Sequence, residues 1–511
     1  ANQWLLSIIQ ESWITYFLNE NIGWSIIPFI KVESTGGKKL LELVKANKNG
    51  YTSLNNLFII NNNKITYIIE KEYKKALIKS PTKRNEYDKA ILKLNERINI
   101  LAGIFKGIYI KIFPIPHDYK NTWTYENITY KNTISNKLFN NYLIALYKSQ
   151  KQNNWNLADQ ALQYIQDYQI KYGYKIIPSK EKIKAELLYN RLNIFYYIMY
   201  FYLLVGIILL FCSFLKVFIN NNNNINNIIN NNINNIINYI LLYIFIYNTF
   251  GLILRWYISN HAPWSNGYES AIFISWCIIL IGFLFKNSFI KSITSLASAS
   301  ILSIAHGNLM NPEITNLVPV LKSYWLIIHV AIIIFSYAFL IIGSFIGFIV
   351  LILYIINAIK NNKNIILYVE KLTIINEITL IIGLFLLTIG TILGGIWANE
   401  SWGSYWNWDP KETWALISII VYSFILHMRL IPNLRGNFIF NISSLMGISS
   451  IVMTYLGVNY YFSGLHSYGK GEPIPIPKWI YVTLIIISII MIISFFSYKK
   501  INNIHNSNEL N

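Results

Sequence analysis

The sequence predicts a polytopic α-helical membrane protein of about nine spans, with an N-terminal extracytoplasmic domain of mixed α/β structure. Two observations carry this. Hydrophobic residues make up 54% of the chain and charged residues only 13%, whereas roughly a quarter of a soluble domain is charged. The apolar residues are also segregated: runs of about twenty, the length that crosses a bilayer, begin only after residue 190.

Residues 1–190 hold 27 Lys and Arg against 15 Asp and Glu. Stretches rich in β-branched and aromatic residues predict strands at 57–60, 64–69 and 108–113. Apolar residues at helical spacing predict helices over 88–100 and 157–172. The nine spans are expected at 193–219, 236–254, 268–285, 289–305, 324–356, 374–397, 413–430, 438–461 and 479–497. Between the first two lies 220–235, almost wholly Asn and Ile, too polar to pack a core and so expected to be a tether. Residues 499–511 form a short polar tail.

A net charge of +19 raises the question of nucleic acid. The basic residues are thinly spread and flank apolar runs, so membrane topology explains them and no nucleic-acid partner is expected. Lys216, Lys286, Lys291, Lys360, Lys363, Lys371, Arg429, Arg435, Lys499 and Lys500 fall at alternate span ends, which the positive-inside rule makes cytoplasmic. Residues 1–190 and the loops 256–267, 306–322 and 462–478 then lie outside. Cys212 and Cys277 both sit in apolar runs, so neither a disulfide framework nor a Cys-based metal site is expected. The chain begins at Ala1 with no signal peptide ahead of its soluble part, and is expected to be a piece of a longer protein.

The outer side also carries Trp402-Gly-Ser-Tyr-Trp-Asn-Trp-Asp-Pro-Lys-Glu-Thr-Trp414, with tryptophans at 402, 406, 408 and 414. Asp409 as N-cap, Pro410 at the first helical position and Glu412 three residues on predict a capping box, with loop or short surface helix before Asp409. The tryptophans are either an interfacial belt or a platform of flat apolar faces for a large planar ligand such as a porphyrin. The string resembles the tryptophan-rich "WWD" signature of haem-handling proteins of cytochrome c maturation, most closely the CcsA (ResC-type) subunit of the system II cytochrome c synthase. The resemblance runs from about residue 239 to 498. A second, shorter one is carried by Glu96-Arg-Ile-Asn-Ile-Leu101 and Lys111-Ile-Phe-Pro-Ile-Pro-His-Asp118, which resemble the extracytoplasmic domain of CcsB (ResB-type) proteins. It implies a CcsB-like domain over 1–190, a last CcsB-like span over 191–219, a fusion seam in the tether, and a CcsA-like domain of eight spans over 236–498.

Seven histidines are present, and imidazole is the side chain here that ligates haem iron. His329, in the outer part of the fifth span, and His466, just beyond the eighth, are each either ordinary hydrogen-bonded histidines or ligands. Their contexts match the two external haem-ligating histidines of CcsA proteins, which implies an axial pair. His427 lies near the inner end of the seventh span, about 20 Å along the helix from Trp414, too far for one haem to reach both. The resemblance implies that it binds haem on its way outward, together with a histidine from an early CcsB span that this chain does not contain. His261 is given a structural or substrate-contacting role and His306 a weaker one; His117 and His505 are read as surface residues. Arg255 and Lys411 are candidate partners for haem propionates.

The implied function is transmembrane delivery of haem b, carried as substrate, and its covalent attachment to the Cys-x-x-Cys-His of an apocytochrome c, a haem lyase activity. The alternative is a haem exporter or chaperone that makes no covalent bond. Expected partners are apocytochrome c, the remaining CcsB spans, thiol-reducing factors and membrane lipid. The expected site is the bacterial inner membrane, ahead of the plastid thylakoid.

Overall fold

A computed structural model describes residues 5–10, 23–24, 26–61, 64–80, 83–105, 108–124, 134–218, 234–285, 287–307, 310–317, 321–466 and 478–509. The chain divides into two compact units, Ala1–Ser179 and Lys180–Asn511. Of the expected tether, residues 220–233 lie outside the described residues, and Asn234 and Asn235 begin a helix. Lys286, loop residues 467–477 and the His505 side chain also lie outside them.

The first unit is mixed α/β. Its longest helix, Glu86–Phe105, places Ala90, Ile91, Leu94, Ile98 and Leu101 on one face, the spacing of an amphipathic helix. That face packs on Leu40, Val44, Leu57 and Ile69. The strands expected at 57–60 and 64–69 form as Phe58–Asn61 and Lys64–Tyr67, which pair as an antiparallel hairpin. The strand expected at 108–113 shrinks to Phe113–Pro114, paired with Trp123–Thr124. The Ile108 N–H turns back to the Gly103 carbonyl at 3.0 Å, so this segment starts as a helix end rather than a strand. Helices Ile134–Gln152 and Asn156–Gly173 close a second small core on Phe113, Phe139, Leu143 and Ile165.

The second unit is helical. Among the described residues, nine helices are long and apolar enough to cross a membrane: Lys180–Phe218, Asn235–Ser259, Gly267–Leu284, Ser288–Ala305, Tyr324–Lys360, Asn364–Trp402, Pro410–Leu430, Asn437–Tyr461 and Trp479–Ile501. They are called the first to ninth spans below. The chain is a multi-pass α-helical membrane protein. Where apolar lipid offers no hydrophobic drive, small and polar residues bring helices together. Ser275 and Ser298 share a 2.6 Å hydroxyl contact between the third and fourth spans. Asn376 on the sixth span donates to Asn441 Oδ1 on the eighth at 2.9 Å, and Asn441 donates back to Thr373 at 2.8 Å.

Most spans shift by up to five residues from expectation, and two differ more at their ends. The first begins with a helix Lys180–Leu192, broken from Ile194–Phe218 by Asn193 at φ 43°. The sixth runs as one helix from Lys363 to Trp402, longer at both ends than 374–397, so Trp402 is helical rather than in a loop. Polar residues such as Lys371, Asn399 and Glu400 depress hydropathy without breaking the helix. What ends it is Gly403 at φ 79°, a left-handed C-terminal cap.

Candidate functional site

The tryptophan-rich stretch joins the sixth and seventh spans, and the expected capping box starts the seventh. Asp409 accepts from the Lys411 N–H at 3.1 Å, and Glu412 accepts from the Asp409 N–H at 3.3 Å. The same Asp409 carboxylate does a second task. Its Oδ1 accepts from the Leu465 N–H at 2.5 Å, and its Oδ2 from His466 Nδ1 at 2.9 Å. A Cβ on Gly464 would lie 2.1 Å from Asp409 Oδ1, so only glycine lets this loop close on the helix start. Burial opposes ionisation of Asp409, but the N–H groups of Lys411 and Leu465 and the His466 ring outweigh it and hold the carboxyl below its ordinary range.

A carboxylate only accepts, so the His466 proton sits on Nδ1 and Nε2 keeps a bare lone pair. Burial pushes the His466 pKa below the usual imidazole range and the Lys411 cation adds to this; Asp409 opposes both without reversing them. His466 is therefore neutral at neutral pH, the form that binds metal.

His329 arrives at the same state by another route. Its Nδ1 lies 2.7 Å from the Gly390 carbonyl of the sixth span. A carbonyl also only accepts, so Nδ1 donates and Nε2 is free. The ring fits because Gly394, one turn on, has no side chain: a Cβ there would stand 2.6 Å from His329 Cε1. Trp397 links the two histidines. It is 1% exposed; its ring lies 6.4 Å from that of His329, nearly parallel at 9°, and 5.6 Å from that of His466. Trp402 packs behind, 4.8 Å from Trp397 and 4.9 Å from His466.

Both histidines line one cavity of about 1340 Å³, together with Trp397, Tyr405, Trp406 and Lys411. Pockets for drug-sized ligands run to roughly 1,000 Å³, so this one admits a larger ligand. The indole N–H groups of Trp397 and Trp406 are buried and, among the described residues, have no hydrogen-bond partner, an exception to the usual pairing of buried donors.

The other expected site residues are placed less uniformly. Trp402, Trp408, Asp409 and Trp414 do not line the cavity. Trp408 is 70% exposed with φ 55°. The Trp414 carbonyl accepts from Ser418 and Thr454, at 2.9 and 3.2 Å, inside the helix packing. His427 is the last residue of the helix Pro410–His427 and is exposed, its Nδ1 2.7 Å from the Ser423 carbonyl of its own helix. The structure thus brings together His329, His466 and Trp406, and leaves His427 at the opposite end of the seventh span. His261 lines the cavity too. Arg255 pairs within the protein: it is fully buried, with Glu269 at 2.9 Å, Tyr189 at 3.0 Å and the Pro312 carbonyl at 3.0 Å. An Arg in a span is usually satisfied in this way; here four of its five N–H donors bond within the protein, and it does not line the cavity.

Sequence reasoning did not single out Gly390, Gly394, Trp397 or Gly464. The first three stand in Gly390-Thr-Ile-Leu-Gly-Gly-Ile-Trp397, a small-residue face at i, i+4 and i+5 that marks close approach of a second helix or ring. Gly464 has no such local signal.

Residues 264–466 match the family described as Cytochrome C assembly protein. The protein NrfI of Wolinella succinogenes is 39% identical over 458 residues, 89% of this chain and 49% of NrfI, so the chain spans about half the length of that relative. The cytochrome c biogenesis protein CcsA of Prochlorococcus marinus is 39% identical over 250 residues, 43% of this chain and 79% of the relative. That of Chlamydomonas reinhardtii is 40% identical over 234 residues, 43% of this chain and 64% of the relative. With a CcsA-type protein matched over most of its length at this identity, the chain belongs to the CcsA-type cytochrome c assembly family.

Proposed function

We propose that the cavity receives haem b as substrate, with iron held between Nε2 of His329 and Nε2 of His466, and presents it to the Cys-x-x-Cys-His of an apocytochrome c. The observation that carries this reading is that two histidines on one cavity each have Nδ1 tied to an acceptor, so each offers Nε2. Such outer-shell bonds orient metal-ligating imidazoles and raise their basicity. The aromatic wall of Trp397, Tyr405 and Trp406 suits the faces of a porphyrin, and Lys411 supplies a cation.

In the covalent step each substrate thiol adds across one haem vinyl group: its sulfur bonds one carbon, its hydrogen ends on the other, and nothing leaves. The protein supplies no nucleophile. It holds the ligand in place and controls what occupies the iron's axial positions. Asp409 acts through His466 and not on the substrate.

Under the same reading His427 meets haem at the cytoplasmic end and the cavity faces the periplasm of a bacterial inner membrane, as the placement of Lys216, Lys360, Lys371, Arg429 and Lys500 supports. The CcsB-like assignment of 1–190 and 191–219 and the tether at 220–235 belong to this proposal, as do thiol-reducing factors and upstream CcsB spans as partners. The test is to purify the chain, measure bound haem, and supply apocytochrome c. Haem-stained cytochrome c supports a lyase. Bound haem handed on without a covalent bond supports the exporter or chaperone reading. A protein that carries no haem overturns both.

A further inference from the structure

The cavity is charged as well as aromatic. Besides histidine and tyrosine, three charged side chains line it: Lys322, Lys411 and Glu412. Glu412 is already engaged, accepting from the N–H groups of Asn407 at 2.8 Å and Asp409 at 3.3 Å. Lys322 is exposed. Lys411 is held differently. Its Nζ donates to Asn459 Oδ1 at 3.2 Å, and Asn459 is fixed in turn because its Nδ2 donates to the Tyr455 carbonyl at 2.6 Å. Tyr455 belongs to a π-helical turn, Met453–Gly457, in the eighth span, a local widening common at functional sites. The amide partner is neutral, and among the described residues no carboxylate forms an ion pair with Lys411. An ammonium has three donors, so two remain. The nearby carboxylates Asp409 and Glu412 are held by backbone N–H groups, and a cation with no direct ion pair in such a cavity favours an anionic ligand.

We propose that Lys411, steadied by Asn459, binds a carboxylate of the ligand in this cavity and so sets its rotation. The proposal rests on the haem reading above, under which the carboxylate is a propionate. Two axial imidazoles fix the iron and the normal to the macrocycle but leave rotation about that normal free. Haem b carries both propionates on one edge, away from its vinyl groups. One carboxylate anchor therefore decides which edge meets incoming thiols. Lys411 is a positioning residue in this scheme, not a catalytic one.

The experiment uses the full chain in detergent, titrated with haem b and with its dimethyl ester, which lacks the two carboxylates. Comparing the affinity ratio between variants cancels the ester's greater partition into micelles. Wild type is expected to prefer haem b over the ester by about tenfold more than Lys411→Met does, while Lys411→Arg keeps the preference. Asn459→Asp, which places a competing carboxylate on Nζ, reduces it as well. An unchanged Soret band with the ester shows that the histidine pair survives in each variant. If Lys411→Met retains the wild-type ratio, the anchor is overturned and the haem reading stands. If wild type binds neither compound, the haem reading fails and takes the anchor with it.

Discussion

At its N-terminal end the seventh span starts on a carboxylate that caps the helix and also holds a histidine from 57 residues further along the chain. At its C-terminal end, 18 residues and about 27 Å away, His427 is held, among the described residues, by the Ser423 carbonyl of its own helix. His329, His466 and His427 each have Nδ1 against an acceptor and, among the described residues, no hydrogen-bond partner at Nε2. They differ in what else fixes the ring. His329 and His466 flank a buried Trp397 and share a cavity, whereas His427 is exposed. One helix therefore joins a fixed pair of imidazoles to a lone exposed one, and under the haem reading that preorganisation favours tighter binding at the pair.

The largest expected effect breaks the pair. His466→Ala or His329→Ala should lower retained haem by more than the roughly 10–100-fold typical of outer-shell changes. Added imidazole should restore part of it by filling the vacated axial position. Wild-type haem content in either variant would remove the histidine from the site.

Next comes the brace. Asp409→Asn should cost roughly 10–100-fold in haem retention, because an amide pins neither the tautomer nor the ring as a carboxylate does. Glu at 409 should not rescue, since its longer side chain cannot both cap and meet Gly464. The pH profile belongs here. Protonation of His466 competes with iron, and its pKa lies below the usual imidazole value of about 6.5. Wild-type retention should stay flat as pH falls through that value and fail only in more acidic solution, which a Soret titration reads. A midpoint above about 6.5 would contradict the buried, Lys411-facing environment.

A smaller effect separates the tryptophans. Trp406→Ala removes cavity wall and should weaken retention several-fold, in line with roughly 0.5–1.5 kcal/mol for an aromatic contact. Trp408→Ala, at an exposed position, should change it by less than about twofold. Normal haem per molecule in both variants, with poor accumulation of the protein, would favour the interfacial-belt reading.

The smallest effect is at the other end. His427→Ala should leave cavity haem unchanged in this chain, because His427 has no partner among the described histidines. Supplying the upstream CcsB spans, fused or as a separate chain, should create a bis-histidine spectrum that depends on His427. A six-coordinate, His427-dependent haem in this chain alone would show that the two ends are more alike than described.

Much of this was legible in the sequence because it is local. Nine apolar runs, and the Asp409–Glu412 capping box, depend on residues within a few turns of one another. The ends of the sixth span were not legible, because Lys371 and Glu400 resemble loop residues until Gly403 and its left-handed backbone are recognised as the true stop. Nor was the brace: Asp409 meets His466 across 57 positions, and no periodicity encodes a contact between elements. Arg255 shows the same limit from the other side, since a lone basic residue at a span end gives no sign that Glu269 and two backbone carbonyls already engage it.

The distance in chain between Asp409 and His466 also orders events in time. Synthesis runs from the N-terminus, so His329, Trp397 and Asp409 all emerge before the eighth span and the loop that follows it. The seventh span can be capped and inserted meanwhile, because Asp409 uses the Lys411 N–H for that purpose. Only when Gly464 settles against Asp409 does His466 take its place. Under the proposed reading, a nascent chain lacking its last two spans holds only one of the two imidazoles and is expected to retain haem less well than the finished protein.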